Sequence, residues 1–312
     1  MQRSTPGILI ATALALAGCR TTSLPHAGAT APGKFVVRAS QYAFTTDFPF
    51  TAADPLVDDL VGLRAKVNDE LLLPAGQPLV RVVIFAARED YAAFLKRNFP
   101  ELPMRRAFFV SRGQDNLVVY ACQGNSLRAD LRHEATHALL HAAIPSIPLW
   151  LDEGLAEYFE VGPAAPGGNW RHVAALVAAT KAGWKPDLAR LEKMKDLRQL
   201  QAADYRESWL WAHYALHRTP TTKRALLEHL QAHKSLAQDS LEARLRKIEP
   251  KLETALLEHL HSLAADPAPD SGGRDSYQPP HDPLGDVFGG IPLLPPGLAP
   301  PVPAFISGRD GT

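Results

Sequence analysis

The chain contains 312 residues, of which 33 are basic and 33 acidic, so its formal net charge is zero. This balance argues against a general nucleic-acid-binding protein, because such proteins usually need excess positive charge to displace counterions from phosphate. The 46% hydrophobic and 21% charged content is typical of a globular protein, and two cysteines are too few for a disulfide framework.

The N-terminus has the pattern of a secretory signal. Arg3 supplies a positive charge, and residues 8–17 form an apolar run that is too short to span a bilayer. The run ends in the sequence Leu16-Ala17-Gly18-Cys19. This sequence resembles the lipobox of bacterial lipoproteins, where a diacylglycerol group is attached to the cysteine thiol.

The lipobox resemblance implies a signal peptide over residues 1–18 and a mature protein that begins at lipidated Cys19. Several acyl chains would hold this terminus firmly at a membrane. In a Gram-negative host, Arg20 after the cysteine favours the outer membrane, facing the periplasm. The alternative is an ordinary cleaved signal with an incidental cysteine. Residues 19–33 would form a short tether, and Cys122 is expected to be a small structural residue.

Hydrophobic patterning next predicts alternating strands and helices, and then a long helical region. The predicted strands cover residues 34–38, 79–85, 107–111 and 116–121, and the predicted helices cover residues 54–73, 88–98, 126–143 and 148–160. Residues 170–263 are predicted to be helical throughout. The tail, residues 266–312, holds 11 of the 27 prolines. We expect it to be disordered, because it cannot bury enough apolar surface to offset the entropy of ordering.

The helix predicted at residues 126–143 carries an HExxH motif. His133 and His137 lie four residues apart on one face, so both imidazoles can reach one zinc ion. Glu134 lies one step round the helix, where it can take a proton from metal-bound water. The opposite face is apolar, with Leu131, Ala135, Ala138 and Ala142. A catalytic zinc site needs a third protein ligand, so the motif requires a further donor.

The next predicted helix supplies a candidate for this donor in the sequence Leu149-Trp150-Leu151-Asp152-Glu153-Gly154-Leu155-Ala156-Glu157-Tyr158. Together with the HExxH motif, it resembles the gluzincin metallopeptidases, the group of thermolysin and the one-zinc aminopeptidases. In that group a second helix carries the third ligand in an Asn-Glu-x-x-Ala-like stretch. The chain departs from this stretch at Asp152, which replaces the asparagine.

The resemblance implies a zinc ion bound by His133, His137 and Glu153, with Glu134 as the general base. Glu157 is the main alternative to Glu153 as a ligand. Otherwise the resemblance makes Glu157 an outer carboxylate that hydrogen-bonds a ligand histidine. His141 continues the four-residue spacing and is a weaker alternative ligand.

A further helix is predicted to start at Asp204-Tyr205-Arg206-Glu207-Ser208. This start is similar to the Tyr-Glu-x-Gly-type helix start of one-zinc aminopeptidases, although Ser208 replaces the glycine. The resemblance implies that the Tyr205 hydroxyl donates a hydrogen bond to the oxyanion of the reaction. The alternative is a tyrosine that packs at a helix start. His213 and His217, also four residues apart, are interpreted as solvated or core residues.

One feature of the aminopeptidases is missing. They hold the substrate amino terminus with a Gly-x-Met-Glu-Asn stretch before the zinc helix, whereas residues 107–125 contain no glutamate. This argues against aminopeptidase activity and favours an endopeptidase. We expect the strand at 116–121 to be the edge strand beside the cleft, where it would pair with an extended peptide.

The resemblance implies an α+β, zincin-like fold with a small mixed β-sheet and a mainly helical C-terminal subdomain. We place the first subdomain, with the HExxH helix, at residues 34–144 and the helical subdomain, with the third-ligand helix, at residues 145–265. The predicted function is a zinc-dependent peptidase that is anchored to the membrane through Cys19, acts on peptides or proteins and does not bind nucleic acid. The alternatives are an inactive, zinc-stabilised lipoprotein that binds peptides or envelope components, and a structural lipoprotein with an accidental HExxH sequence.

Overall fold

The computed structural model describes residues 31–74, 76–100, 104–111, 116–144, 146–162, 168–232 and 240–265. Its strands are β1 (Phe35–Ala39), β2 (Tyr42–Thr46), β3 (Val80–Phe85), β4 (Ala107–Ser111) and β5 (Leu117–Cys122). They form one sheet in the order β1-β2-β3-β5-β4. The hairpin of β1 and β2 and the pair of β4 and β5 are antiparallel, while β2, β3 and β5 run parallel to one another. The sheet is therefore mixed, as predicted.

Two features of the sheet differ from the prediction. Strand β2 was not predicted, because it is short and follows β1 after a tight turn in which Ser40 has a φ of 53°. The expectation that the strand at 116–121 lies at the sheet edge is wrong. β5 pairs with β3 on one side and with β4 on the other, so β4 lies at this edge of the sheet.

Helices cover both faces of the sheet. α1 (Pro55–Leu71) and α3 (Leu127–Ala143) share a hydrophobic core with one face, and α2 (Arg88–Asn98) packs on the other face in a smaller cluster around Phe85 and Phe94. Burial of each large apolar side chain stabilises the fold by about 1.5–3 kcal/mol relative to exposure. The main core fixes α3 against strands β4 and β5.

The rest of the described chain is helical. It comprises α4 (Leu149–Glu160), α5 (Trp170–Lys181), α6 (Leu188–Glu192), a short 3-10 helix (Leu197–Gln199), α7 (Ala202–His217), α8 (Pro220–Ala232), α9 (Leu241–Ile248) and α10 (Leu252–Ala265). Helix α4 lies between α3 and α7. One continuous hydrophobic core joins the sheet, α3, α4 and α7, so both predicted subdomains contribute to it. The chain is a mixed α/β protein compatible with the α+β class.

The predicted signal peptide, the lipidation site at Cys19, most of the tether and the tail at 266–312 lie outside the described residues. Among the helices that are described, none combines the length and the apolar character needed to cross a bilayer. Cys122 is half-buried at the end of β5 and burial raises the pKa of its thiol.

Candidate metal centre

Helix α3 carries the HExxH motif on the side opposite its apolar face. Leu131, Ala135 and Ala138 are fully buried in the main core, which fixes the rotation of the helix. Because four residues make slightly more than one turn, His133 and His137 then project from the same side. Their rings pack edge to face with centroids 4.8 Å apart.

Helix α4 is buried along almost its whole length, including the acidic residues Glu153, Glu157 and Glu160. It crosses α7 at very close range at Gly154, where a Cβ atom would lie only 2.4 Å from the Ser208 carbonyl oxygen. Only glycine allows this approach. The preceding residue, Glu153, faces the histidines of α3.

Three donor atoms from α3 and α4 face one another. Glu153 Oε2 lies 3.4 Å from His133 Nε2 and 3.6 Å from His137 Nε2. Glu153 is 3% exposed, and its Oε2 atom makes no hydrogen bond of normal geometry within the described part of the chain. A buried polar atom without such a partner is costly, so the arrangement points to a group that binds all three atoms.

The spacing and chemistry of these donors fit a zinc ion. Zinc binds imidazole nitrogen and carboxylate oxygen at about 2.0–2.2 Å in tetrahedral geometry, which places two donors about 3.3–3.6 Å apart. The two contacts made by Glu153 fall in this range. Within the described residues a second cluster, His133, Glu157 and Glu160, also brings donor atoms within 4.8 Å of one another. It adjoins the first cluster through His133.

Carboxylates also contact the other nitrogen of each histidine. His137 Nδ1 lies 2.9 Å from Asp152 Oδ1, and His133 Nδ1 lies 3.2 Å from Glu160 Oε2. Such contacts orient an imidazole so that its Nε2 atom faces a metal. Neither acid was predicted for this role, although Glu160 follows Glu153 by two helical turns and Asp152 stands beside it. The spacing along α4 makes both acids candidates, but which imidazole each contacts depends on how α4 packs against α3.

Glu157 contacts a histidine other than the proposed ligands, in contrast to the outer-carboxylate role that the resemblance implied. Glu157 Oε2 lies 2.8 Å from His172 Nε2 at the start of α5. The alternative ligand His141 lies beside Asp152, with His141 Nε2 at 2.9 Å from Asp152 Oδ2. Asp152 therefore bridges His137 and His141, and His141 is outside the three-donor cluster.

The centre has a strongly negative electrostatic environment. Burial alone would lower the pKa of His137, but Asp152 and Glu153 reverse this effect and raise it to about 10. The pKa of His133 is likewise raised well above its usual value by Glu153 and Glu160, against the effect of burial. For Glu153, burial acts to raise the pKa, whereas His137 and His133 lower it to about 2. Each of these shifts reflects the attraction between a buried imidazole and the carboxylates that surround it.

Glu134 and the edge strand β4 are in direct contact. The backbone N–H of Phe109 donates a hydrogen bond of 2.8 Å to Glu134 Oε2. This N–H points away from β5, so the outer edge of β4 faces the same region as the candidate base. The edge strand beside the centre is thus β4 and not β5.

Tyr205 lies at the start of α7 and is 9% exposed. Burial, followed by the charge of Glu153, raises the pKa of Tyr205 to about 12, while Arg105 and His133 act in the opposite direction. Arg105, two residues before β4, lies near the Tyr205 hydroxyl, since each group influences the pKa of the other. The structure therefore brings Tyr205 close to the predicted ligands. Arg105 was not predicted, because an isolated arginine before a strand forms no motif.

His213 belongs to a separate group of histidines. It is 7% exposed, and its Nδ1 atom lies 2.9 Å from Nε2 of His259 in α10. His217 lies on the exposed side of α7 and its Nε2 atom is 2.7 Å from the Tyr158 hydroxyl. Neither His213 nor His217 joins a group of metal-donor side chains within the described residues.

The sequence matches no protein-family model, and no curated protein matches it significantly.

Proposed function

We propose that this protein is a zinc-dependent metallohydrolase that cleaves peptide bonds as an endopeptidase. His133, His137 and Glu153 would hold the zinc ion. The observation that carries the proposal is the buried Glu153 Oε2 atom, which lies without a normal hydrogen bond at 3.4 and 3.6 Å from two imidazole nitrogens. No covalent nucleophile is needed for this chemistry.

The bound metal would act as a Lewis acid that makes water nucleophilic near neutral pH. Glu134 accepts the proton of the attacking water and returns it to the leaving amine. Tyr205 donates a hydrogen bond to the oxygen on which negative charge develops. Asp152 and Glu160 hold the ligand histidines through their Nδ1 atoms. These roles bring together three helices, namely α3, α4 and α7.

The gluzincin resemblance and the zincin-like fold belong to the same proposal. The mixed sheet with edge strand β4, the HExxH helix α3 and the third-ligand helix α4 support it. The absence of a glutamate from residues 107–125 favours an endopeptidase over an aminopeptidase. The lipobox-like sequence at Cys19 would place the enzyme at the outer membrane, facing the periplasm.

The proposal is tested by measuring zinc and peptide cleavage on the same sample, purified without chelators. We expect about one equivalent of zinc and cleavage of a peptide library at internal bonds. The Glu134→Gln variant should keep its zinc and lose at least about 100-fold in cleavage rate, because general-base catalysis contributes 10²–10⁴-fold. Glu89→Gln, which changes an exposed glutamate on α2, is the matched control and should behave like the wild type.

The outcomes separate the alternatives. Zinc without cleavage in the wild type would favour a zinc-stabilised binding protein. Less than about half an equivalent of zinc would favour an accidental HExxH sequence. Products released one residue at a time from the amino end would contradict the endopeptidase assignment.

A further inference from the structure

Arg105 precedes β4 and lies near the candidate metal centre: burial acts to lower its pKa, whereas Tyr205, Glu153 and Glu134 raise it. Its side chain is half-buried and its Cζ atom lies 5.8 Å from the centroid of the Phe108 ring. Among the described residues, no carboxylate lies within ion-pair distance of Arg105. The neighbouring Arg106, in contrast, contacts both carboxylate oxygens of Asp130, at 2.9–3.3 Å. Within the described part of the chain, the two adjacent arginines therefore differ, because Arg106 is paired with Asp130 and Arg105 has no carboxylate at this distance.

The surroundings of Arg105 hold its guanidinium in place. It lies near the Tyr205 hydroxyl, which influences its pKa, and its Cζ atom lies over the Phe108 ring. A hydroxyl and an aromatic face fix the position of a guanidinium without neutralising it. The two carboxylates that raise the pKa of Arg105 are Glu153 and Glu134. In the proposed function, Glu153 binds zinc and Glu134 transfers a proton, so neither serves as the partner of Arg105. The remaining donors of the guanidinium fork suit the two oxygens of a carboxylate.

The position of Arg105 before β4 indicates in which orientation a peptide substrate would bind along this strand. Arg105 precedes β4, whose Phe109 N–H is turned toward Glu134. By the alternation of an antiparallel ladder, the backbone of Ala107 faces the same way as that of Phe109. A peptide that runs antiparallel to β4 has its C-terminal side next to Arg105. A peptide in the opposite direction would bring its N-terminal side, and any free ammonium group, toward the guanidinium, which is unfavourable.

We propose that Arg105, held by Tyr205 and Phe108, binds a carboxylate of the substrate on the C-terminal side of the scissile bond. This inference rests on the proposed function, because the scissile bond is defined by the metal centre. The carboxylate has two possible sources, the C-terminal carboxylate of a short peptide and the side chain of an aspartate or glutamate. In both cases Arg105 favours peptides that carry a carboxylate at this position over peptides that carry a neutral group there.

Binding can be measured without turnover in the zinc-loaded Glu134→Gln protein by isothermal titration calorimetry. Three N-acetylated tetrapeptides serve as probes: one with a free C-terminal carboxylate, the same peptide as a C-terminal amide, and an amidated peptide that ends in aspartate. We expect at least one acidic peptide to bind about 10- to 100-fold more tightly than the neutral amide, as is typical for a charged hydrogen-bonded contact. The acidic peptide that gains affinity identifies the source of the carboxylate.

Variants assign this preference to one side chain. Arg105→Met should abolish the acid-to-amide difference and leave the affinity for the neutral peptide nearly unchanged. Arg105→Lys should keep part of the difference, because lysine retains the charge but loses the planar fork. Arg97→Met, which removes an exposed positive charge at the end of α2, is the control and should bind all three peptides like the parent. Circular dichroism and zinc content, measured on every variant, verify the fold.

Three results would overturn the carboxylate site. These are equal binding of acidic and neutral peptides by the parent, an equal loss of preference in the Arg97 and Arg105 variants, and an equal loss of affinity for acidic and neutral peptides in Arg105→Met. The last result would mean that Arg105 acts only by positioning Tyr205. Loss of zinc from the wild type would instead overturn the proposed function, and the acid-to-amide comparison on the same samples still decides whether Arg105 binds carboxylates.

Discussion

Asp152 precedes the proposed ligand Glu153 in sequence, but its carboxylate contacts the far side of His137. Burial acts to raise the pKa of Asp152, while His137 and His141 lower it well below its usual range. The ionised carboxylate therefore orients the ring and makes its Nε2 atom a better donor. The asparagine of the gluzincin stretch would provide at most a neutral oxygen at this position. In the proposed site, the acidic residue at this position would therefore act on a ligand of the metal.

Replacement of Asp152 separates this role from that of Glu157. We predict that Asp152→Asn lowers zinc affinity about 10- to 100-fold, the usual cost of losing an outer contact to a ligand. Glu157→Gln should change zinc affinity much less, because Glu157 contacts His172 and not Nδ1 of a proposed ligand. Competition with a chromogenic zinc chelator measures both affinities. A larger loss in the Glu157 variant would restore the role that the sequence first predicted for Glu157.

At the scale of whole elements, the crossing of α4 and α7 sets the position of Glu153 relative to α3. We predict that Gly154→Ala destabilises the protein by about 1–3 kcal/mol, because the added methyl group would overlap the Ser208 carbonyl. It should also weaken zinc binding, since α4 must shift. Urea unfolding and chelator competition measure these two effects.

The matched control is Gly62→Ala in α1. Gly62 is exposed, and an added Cβ would have no atom within 4 Å. Alanine is the better helix former, so this substitution should stabilise the protein by about 0.5–1 kcal/mol. Equal effects of the two substitutions would mean that the close approach at Gly154 does not constrain α4.

The contact between α7 and α10 has a pH-dependent component. Burial, with smaller effects of Arg218 and His217, lowers the pKa of His259 to about 4. Burial, with smaller effects of His217 and His259, lowers the pKa of His213 to about 2. An unfolded histidine has a pKa of about 6.5. Below that pH the unfolded chain binds more protons than the folded chain, so acid favours unfolding.

We predict that the contribution of neutral His259 to the free energy of unfolding is complete above pH 6.5. This contribution decreases as the pH falls from 6.5 to 4. One such histidine contributes up to about 1.4 kcal/mol per pH unit in this range. His259→Gln should therefore reduce the pH dependence, measured by urea unfolding of the zinc-free protein. His261→Gln, an exposed change on the same helix, is the control and should have little effect. Identical pH profiles for the wild type and His259→Gln would contradict the prediction.

Local sequence patterns predicted most elements but not their arrangement. The helix predicted at 126–143 agrees with α3 to within one residue. Its apolar periodicity and its alanines are local features, so the sequence alone determines this helix. Strand β2 was missed, since five residues carry too little pattern and their burial depends on β1 and β3. The sheet edge was misplaced for a related reason, because pairing order is a long-range property. The hydrophobic pattern predicts that both segments are strands, but it does not predict which of them lies at the edge of the sheet.

At the scale of the molecule, the same distinction applies to the candidate site. His133, His137 and Glu153 could be selected from the sequence because helical spacing places them on facing sides of two helices. Glu160, Asp152 and Arg105 depend on how α4 and β4 pack against α3. Arg132 illustrates this packing, because its buried guanidinium donates to the carbonyl oxygens of residues 159–161 at the end of α4 and to Asp59 of α1. No local pattern predicts such a link.

Zinc would join α3 to α4 inside the single core, so its removal should weaken the whole fold. Zinc at a free concentration 100-fold above its dissociation constant stabilises a folded protein by about 2.7 kcal/mol if the unfolded chain does not bind it. For a protein of this size, that corresponds to about 5–10 °C in melting temperature. We predict a decrease of this order when a chelator is added, measured by differential scanning calorimetry. Glu153→Ala, which lacks the third ligand, should melt at nearly the same temperature with and without chelator. If the wild type also melts at the same temperature in both conditions, then the three donors do not bind a metal that stabilises the fold.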